Sequence, residues 1–273
     1  MIPATHYLRL VQAFKGEEEY AVWADLSADM RAFDHLLSFE PFSGQYQELA
    51  REVLKPIVGK MGWDAKVGEG HLASMLRSTV LGTLGAFGDK ATQNEASRRF
   101  LRYLEDPKSL PPELRGVVYG LAAQNGDALT YDSMHNLAKA EQFQEERLRL
   151  YGALSRFGDK ALLGNTLALS LSSEVRSQDT VGLITQVAMN RQGGVRLAWD
   201  FIKEQWGELD RRYGAGGFGM MRLVSIPGGF TTPQDKREVE EFYQAHPVPS
   251  ATRSIQQTLE RIDLNIKWLA HNR

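Results

Sequence analysis

Few residues of this chain have the type and spacing that catalysis requires. The six histidines are isolated from one another, and none belongs to a His-Glu-x-x-His helix that could hold zinc beside a general base. Cysteine is absent, which excludes thiolate catalysis and cysteine-ligated zinc within these residues. Spacing indicates no carboxylate pair and no nucleophile beside a base. We therefore expect no catalytic residue, no metal ligand and no cofactor in this chain.

One glycine-rich segment matches a nucleotide-binding motif. Gly214, Gly216 and Gly219 have the spacing G-x-G-x-x-G. A dinucleotide site needs this motif directly after a strand and at the start of a helix, whereas apolar periodicity predicts a long helix before it. We interpret the segment as a loop between helices.

Any site must be positioned by helices. Apolar residues recur at three- and four-residue steps through most of the chain, and we find no convincing run that alternates as a strand does. One such series, from Leu49 to Ile57, passes through Pro56, which lacks an amide hydrogen and is expected to kink or interrupt its helix. The pattern predicts an all-α chain.

A motif of arginine, glycine and a Gly-Asp pair occurs three times with the same internal spacing. Glycine can close a helix in the left-handed conformation, and the following aspartate can cap the next helix. Copies 38 and 32 residues apart have the period of stacked helical hairpins, so we predict a right-handed α-solenoid of the HEAT or ARM kind. The regular recurrence of the arginines suits structural pairing rather than substrate binding. The copies are Arg77, Gly82, Gly88-Asp89; Arg115, Gly120, Gly126-Asp127; and Arg147, Gly152, Gly158-Asp159.

Composition narrows the classes of partner. A net charge of −2 and a pI near 6.3 argue against nucleic acid, because phosphate binding normally needs a basic excess. No apolar stretch has the length of a membrane span, and the start lacks the pattern of a signal peptide. We expect a cytoplasmic protein with neither a nucleic-acid nor a membrane partner.

Five segments in order along the chain resemble one known module. They are similar to the C-terminal helical domain of gluzincin zinc aminopeptidases, most closely the puromycin-sensitive aminopeptidase group. The ordered matches extend from Leu10 to Leu269. The segments are Glu17 to Met30, Leu54 to Leu72, Ser172 to Val181, Leu197 to Leu209 and His246 to Leu269.

The resemblance implies a single helical domain of a larger aminopeptidase, spanning 1–273. We divide it into leading helices (1–71), regular hairpin repeats (72–172) and closing helices (173–273). In that family a separate domain carries the zinc motif and a Gly-Ala-Met-Glu-Asn motif for the substrate's amino group, and neither occurs here. The expected zinc therefore belongs to the catalytic domain of the same polypeptide.

The resemblance also implies a role in substrate binding. Related domains form a curved bowl that covers the active site, so this one is expected to help bind and select peptides from which the parent enzyme removes N-terminal residues. Arg156 lies where related enzymes can present a basic group to the peptide's C-terminal carboxylate, and an arginine fork suits a carboxylate. The alternative for Arg156 is an exposed arginine near a helix C-terminus. The alternative for the chain is a freestanding HEAT-like scaffold that binds a protein or peptide segment in its groove.

Overall fold

The computed structural model describes residues 3–272, and over this range the chain is all-α, as predicted. Fifteen α-helices and three short 3₁₀ segments occur there, without a strand. The helices are α1 (Ala4–Ala13), α2 (Tyr20–Leu36), α3 (Ser43–Met61), α4 (His71–Ala86), α5 (Lys90–Glu105), α6 (Pro112–Gln124), α7 (Ala128–Ala140), α8 (Gln144–Leu154), α9 (Lys160–Leu171), α10 (Ser177–Ala188), α11 (Gly194–Glu204), α12 (Trp206–Tyr213), α13 (Phe218–Ser225), α14 (Pro233–Ala245) and α15 (Thr252–Asn272).

The described residues divide into two compact units. The first comprises residues 3–159 with α1 to α8, and the second comprises residues 160–272 with α9 to α15. None of the helices within 3–272 combines the length and the apolar character needed to cross a membrane.

The first unit consists of stacked helical hairpins. Helix α2 packs on α4, α4 on α6 and α6 on α8, so the even-numbered helices form one layer. Helices α3, α5 and α7 each pack against the even-numbered helix that follows them. This is the arrangement that the repeated motif predicts. The handedness of the solenoid and its curvature into a bowl stay predictions.

Two of the three Gly-Asp joints cap the following helix through their aspartate, and one has a left-handed glycine. Asp89 and Asp127 each accept a hydrogen bond from a backbone amide of the following helix, at 2.9 and 3.0 Å, which confirms their capping role. Gly88 is left-handed, with φ of 84°. Gly126 and Gly158 are not left-handed, so that part of the prediction is wrong for two of the three copies.

The helix that contains Pro56 is not interrupted. Helix α3 runs from Ser43 to Met61 with Pro56 inside it. Pro56 is exposed, so the carbonyl that loses its amide partner can be hydrated, while Val53 and Ile57, which flank it on the helix, stay buried. Apolar anchoring outweighs the missing hydrogen bond here.

The repeat arginines connect helices to neighbouring segments. Arg77 is buried, pairs with Glu69 at 2.5 Å and donates to the carbonyl of Met61. Arg147 donates to the carbonyl of Glu141, in the loop that leads into its own helix. Arg115 lies 3.6 Å from Glu146 and over the ring of Tyr103. The prediction of a structural role for these arginines is confirmed.

A charge network ties α11 to α14 in the second unit. Glu238 accepts hydrogen bonds from Arg196 at 2.9 Å, from the Trp199 indole at 3.0 Å and from Lys203 at 2.5 Å. Burial by itself raises the pKa of Glu238, but the hydrogen bonds from Lys203 and Arg196 outweigh it and hold that pKa below its ordinary 4.5. The ionised form of Glu238 is therefore the one that the fold stabilises.

This network should make stability depend on pH in the acid range. A carboxyl whose pKa is lower in the folded state contributes stability above its unfolded pKa and loses it as pH falls through the folded one. We expect Glu238→Gln to lower the free energy of unfolding by about 1–2 kcal/mol at neutral pH, a modest loss because Glu238 and its cationic partners are partly exposed. Near pH 2 the substitution should cost almost nothing. Urea denaturation at several pH values measures this. Glu241→Gln, an exposed change on the same helix, should leave the profile unchanged; equal effects of the two substitutions would contradict the assignment.

Candidate functional site

Arg156 is held at a fixed position by its sequence neighbours. It follows the end of α8, where its backbone amide donates to the carbonyl of Ala153 at 2.9 Å. Leu154 and Phe157 on either side of it are fully buried and anchor the chain. The Arg156 side chain itself is exposed to solvent. A rigid backbone therefore holds a residue that is exposed at the surface.

The side chain of Arg156 lies against α6 at Gly120. A Cβ atom on Gly120 would come within 2.9 Å of Nη1 and 3.1 Å of Cδ of Arg156, which is closer than ordinary contact. Only the absence of a side chain at this position lets the guanidinium lie so close to the helix. The surrounding protein partly desolvates the group and lowers the pKa of Arg156, yet an arginine stays charged at neutral pH.

Within residues 3–272, the Arg156 side chain has neither a hydrogen bond nor an ion pair. The acidic residues of α8 are already engaged: Glu145 and Glu146 pair with Arg149. Glu146 also accepts a hydrogen bond from the hydroxyl of Tyr119 at 2.8 Å. The donors of Arg156 are consequently free to bind an anion, and bidentate binding of a carboxylate is what a guanidinium does best.

A second arginine, Arg31 of α2, occupies the same layer of helices. Its Nη2 atom donates to the hydroxyl of Thr83 at 2.5 Å, and its Nε atom is buried without a partner. Burial, and then the positive charge of Arg156, lower the pKa of Arg31 to about 10, so it stays charged at neutral pH. Sequence patterns do not single out Arg31, because it lies outside the repeats and far from Arg156 along the chain.

Each of the two arginines lies over a repeat glycine. Nη2 of Arg31 lies 3.7 Å from the position that a Cβ on Gly82 would take, as Arg156 lies over Gly120. Gly82 and Gly120 hold the same place in the first and second copies of the motif. The recurrence of glycine at this repeat position was the sequence signal for the surfaces that Arg31 and Arg156 cover. The sequence alone does not reveal which side chains lie over those glycines.

The other sequence candidates are not assembled into a site. The loop with Gly214 follows helix α12, and Gly216 and Gly217 are left-handed, so the strand that a dinucleotide motif requires does not precede it. Among the described residues, no group of three or more histidine, aspartate or glutamate side chains could hold a metal ion. The unpaired Arg156 is the predicted site residue whose surroundings suit a ligand.

Comparison with known proteins assigns the chain to a family. A family model described as the ERAP1-like C-terminal domain matches residues 1–264. The chain belongs to this family. The predicted relationship to the C-terminal domain of aminopeptidases is thereby confirmed, while membership of the puromycin-sensitive group stays a prediction.

Individual relatives of this ERAP1-like C-terminal domain are aminopeptidases. Aminopeptidase M1-A of Oryza sativa subsp. japonica is 31% identical over 274 residues, which cover 97% of this chain and 31% of the relative. Aminopeptidase M1 of Arabidopsis thaliana is 31% identical over 280 residues, or 96% of this chain and 30% of the relative. Glutamyl aminopeptidase of Bos taurus is 31% identical over 97% of this chain and 28% of the relative. The chain spans about a third of the length of these relatives.

Proposed function

We propose that this chain is the non-catalytic C-terminal domain of a zinc aminopeptidase, where it encloses the active site and helps to bind and select peptides. The observation that supports this most is the match of nearly the whole chain to about a third of each aminopeptidase relative. The parent enzyme would remove N-terminal residues from peptides, with zinc supplying an activated water. The described residues do not fit a metal ion, so the zinc would be held by the catalytic domain of the same polypeptide. Location in the cytoplasm stays a prediction.

Arg156 is the residue that we assign to substrate. Arg156 is an exposed residue whose guanidinium lies against Gly120 and has no internal anion among residues 3–272, which suits the C-terminal carboxylate of a peptide. A peptide that is held at its C-terminus by this domain presents its N-terminus elsewhere. The domain would then contribute binding energy and selection by length, and the chemistry would take place on the catalytic domain.

Calorimetry with this chain tests the assignment. We expect a decapeptide with a free C-terminal carboxylate to bind on the order of tenfold more tightly than its C-terminal amide, since a hydrogen-bonded charge pair contributes about 1.5 kcal/mol or more. In Gly120→Ala the new methyl group displaces the guanidinium, so this ratio should fall severalfold. Gly116→Ala, on the same helix and with open space around it, should keep the ratio.

Three results would contradict the assignment of Arg156. They are equal binding of acid and amide by the unmodified chain, no binding of either peptide, and an unchanged ratio in Gly120→Ala. Thermal denaturation supplies the folding control. Alanine favours a helix over glycine by up to about 1 kcal/mol, so Gly116→Ala should raise stability slightly.

The coding sequence upstream of this segment distinguishes the two hypotheses, an enzyme domain and a freestanding scaffold. We expect the coding sequence upstream of this segment to encode a His-Glu-x-x-His helix and a distal glutamate, the zinc ligands and base of a gluzincin. A native gene without them would favour a scaffold that binds a peptide segment.

A further inference from the structure

We propose that Arg31 and Arg156 form one two-arginine site that selects peptides ending in aspartate or glutamate. Arg156 would bind the α-carboxylate and Arg31 the side-chain carboxylate of that last residue. This inference rests on the proposed function, because it extends the carboxylate site of Arg156 to a second anionic group. It assigns a preference for the C-terminal residue that the assignment of Arg156 alone does not contain.

The geometry of α4 and α6 brings the two guanidinium groups to the same surface. Arg31 reaches Gly82 of α4, and the Cβ position of Gly82 lies 3.5 Å from Cγ2 of Val117 on α6. Gly120, which Arg156 covers, is three residues after Val117, and residues three apart on a helix are neighbours on one face. Arg31 and Arg156 thus approach the α4–α6 pair from α2 and from the end of α8 on a shared side.

The positive charges of Arg31 and Arg156 would be balanced by a ligand with two negative charges. Among the described residues, neither Arg31 nor Arg156 has a carboxylate partner, although most buried or half-buried arginines of a folded chain are paired. Two cations on one surface repel each other, so each raises the free energy of the other until anions bind. A single monocarboxylate relieves part of this repulsion, and a ligand with two carboxylates relieves more of it.

The fixed position of Arg31 makes it suited to selection. Thr83 holds Nη2 of Arg31, and the hydroxyl of Thr83 itself donates to the carbonyl of Thr79 at 2.7 Å. An arginine that is already oriented loses less side-chain entropy when a ligand binds. The α-carboxylate and the side-chain carboxylate of one residue are separated by only a few bonds, so one acidic residue can reach both groups.

Calorimetry with matched peptides tests this inference on the 273-residue chain. One decapeptide ends in glutamate and one in glutamine, each as free acid and as amide, and a fifth carries its glutamate in the middle with glutamine at the end. We expect the peptide ending in glutamate to bind on the order of tenfold more tightly than the one ending in glutamine. Moving glutamate to the middle should abolish this gain at equal net charge.

Variants locate the effect at Arg31. Arg31→Gln should remove the preference for glutamate while the preference for acid over amide at the last residue persists. Arg31→Lys, which keeps the charge, should restore part of the glutamate preference. Arg102→Gln removes a charge from an exposed arginine of α5 and should change neither ratio. Circular dichroism confirms that each variant is folded.

The outcomes separate the two proposals. If acid is preferred over amide but glutamate and glutamine bind equally, the two-arginine site is wrong and the assignment of Arg156 stands. If neither ratio differs from one, both are wrong. A glutamate preference that survives Arg31→Gln, or that follows the glutamate to the middle of the peptide, also overturns the role of Arg31.

Discussion

Trp199→Ala is expected to lower the free energy of unfolding by about 3–5 kcal/mol, since truncation of a buried aromatic residue loses its transfer energy and leaves a cavity. Trp199 is fully buried and packs edge-to-face on Phe242 with ring centroids 5.1 Å apart. Its indole also donates to Glu238, so the substitution removes one partner of the network between α11 and α14. Urea denaturation followed by circular dichroism measures the loss.

Trp206→Ala provides the comparison for this effect. Trp206 contacts the same Phe242 ring at 5.3 Å but is only partly buried, so its truncation should cost clearly less than that of Trp199. Equal losses, or a loss below about 1 kcal/mol for Trp199→Ala, would show that the core of the second unit is packed differently.

Arg156→Glu is expected to weaken binding of a free-carboxylate peptide on the order of a hundredfold and to invert the preference, so that the amide binds more tightly. Losing a hydrogen-bonded charge pair and adding a like charge at close range together cost about 3 kcal/mol. Gly120 lies directly beneath the Arg156 side chain. A glutamate at position 156 would project from the same backbone position as the arginine does. Calorimetry with the acid and the amide measures both the loss and the inversion.

Charge reversal at a remote position controls for the net charge of the chain. Arg102→Glu changes the net charge by the same amount on an exposed face of α5, and it should leave the preference for the acid in place. A similar loss in both variants would mean that long-range electrostatics, and not a contact with Arg156, governs binding.

Local sequence rules predict much of this fold. Apolar periodicity gives the all-α class, and aspartates after glycine mark helix starts because a cap depends only on residues three positions away, as at Asp89 and Asp127. The structural role of Arg77 and Arg147 also follows from their recurrence, and each donates to a backbone carbonyl at the C-terminal end of the helix before its own. These features are set within one hairpin.

Local sequence rules do not predict features that depend on contacts between distant segments. The helix through Pro56 persists because buried neighbours hold it, which local propensity does not register. Arg31 becomes a candidate only when α2, α4 and α6 are stacked and Gly82 is seen beneath its guanidinium. The position of Arg156 was available from resemblance, whereas its lack of an internal partner required the side chains of α8 to be placed.

The structure of this chain with a bound decapeptide is the most direct measurement of the central claim. We expect a C-terminal carboxylate oxygen within hydrogen-bonding distance of the Arg156 guanidinium, at about 2.7–3.2 Å, beside Gly120. A peptide bound with its carboxylate in solvent, or at any other surface of the chain, would contradict the role that we assign to Arg156.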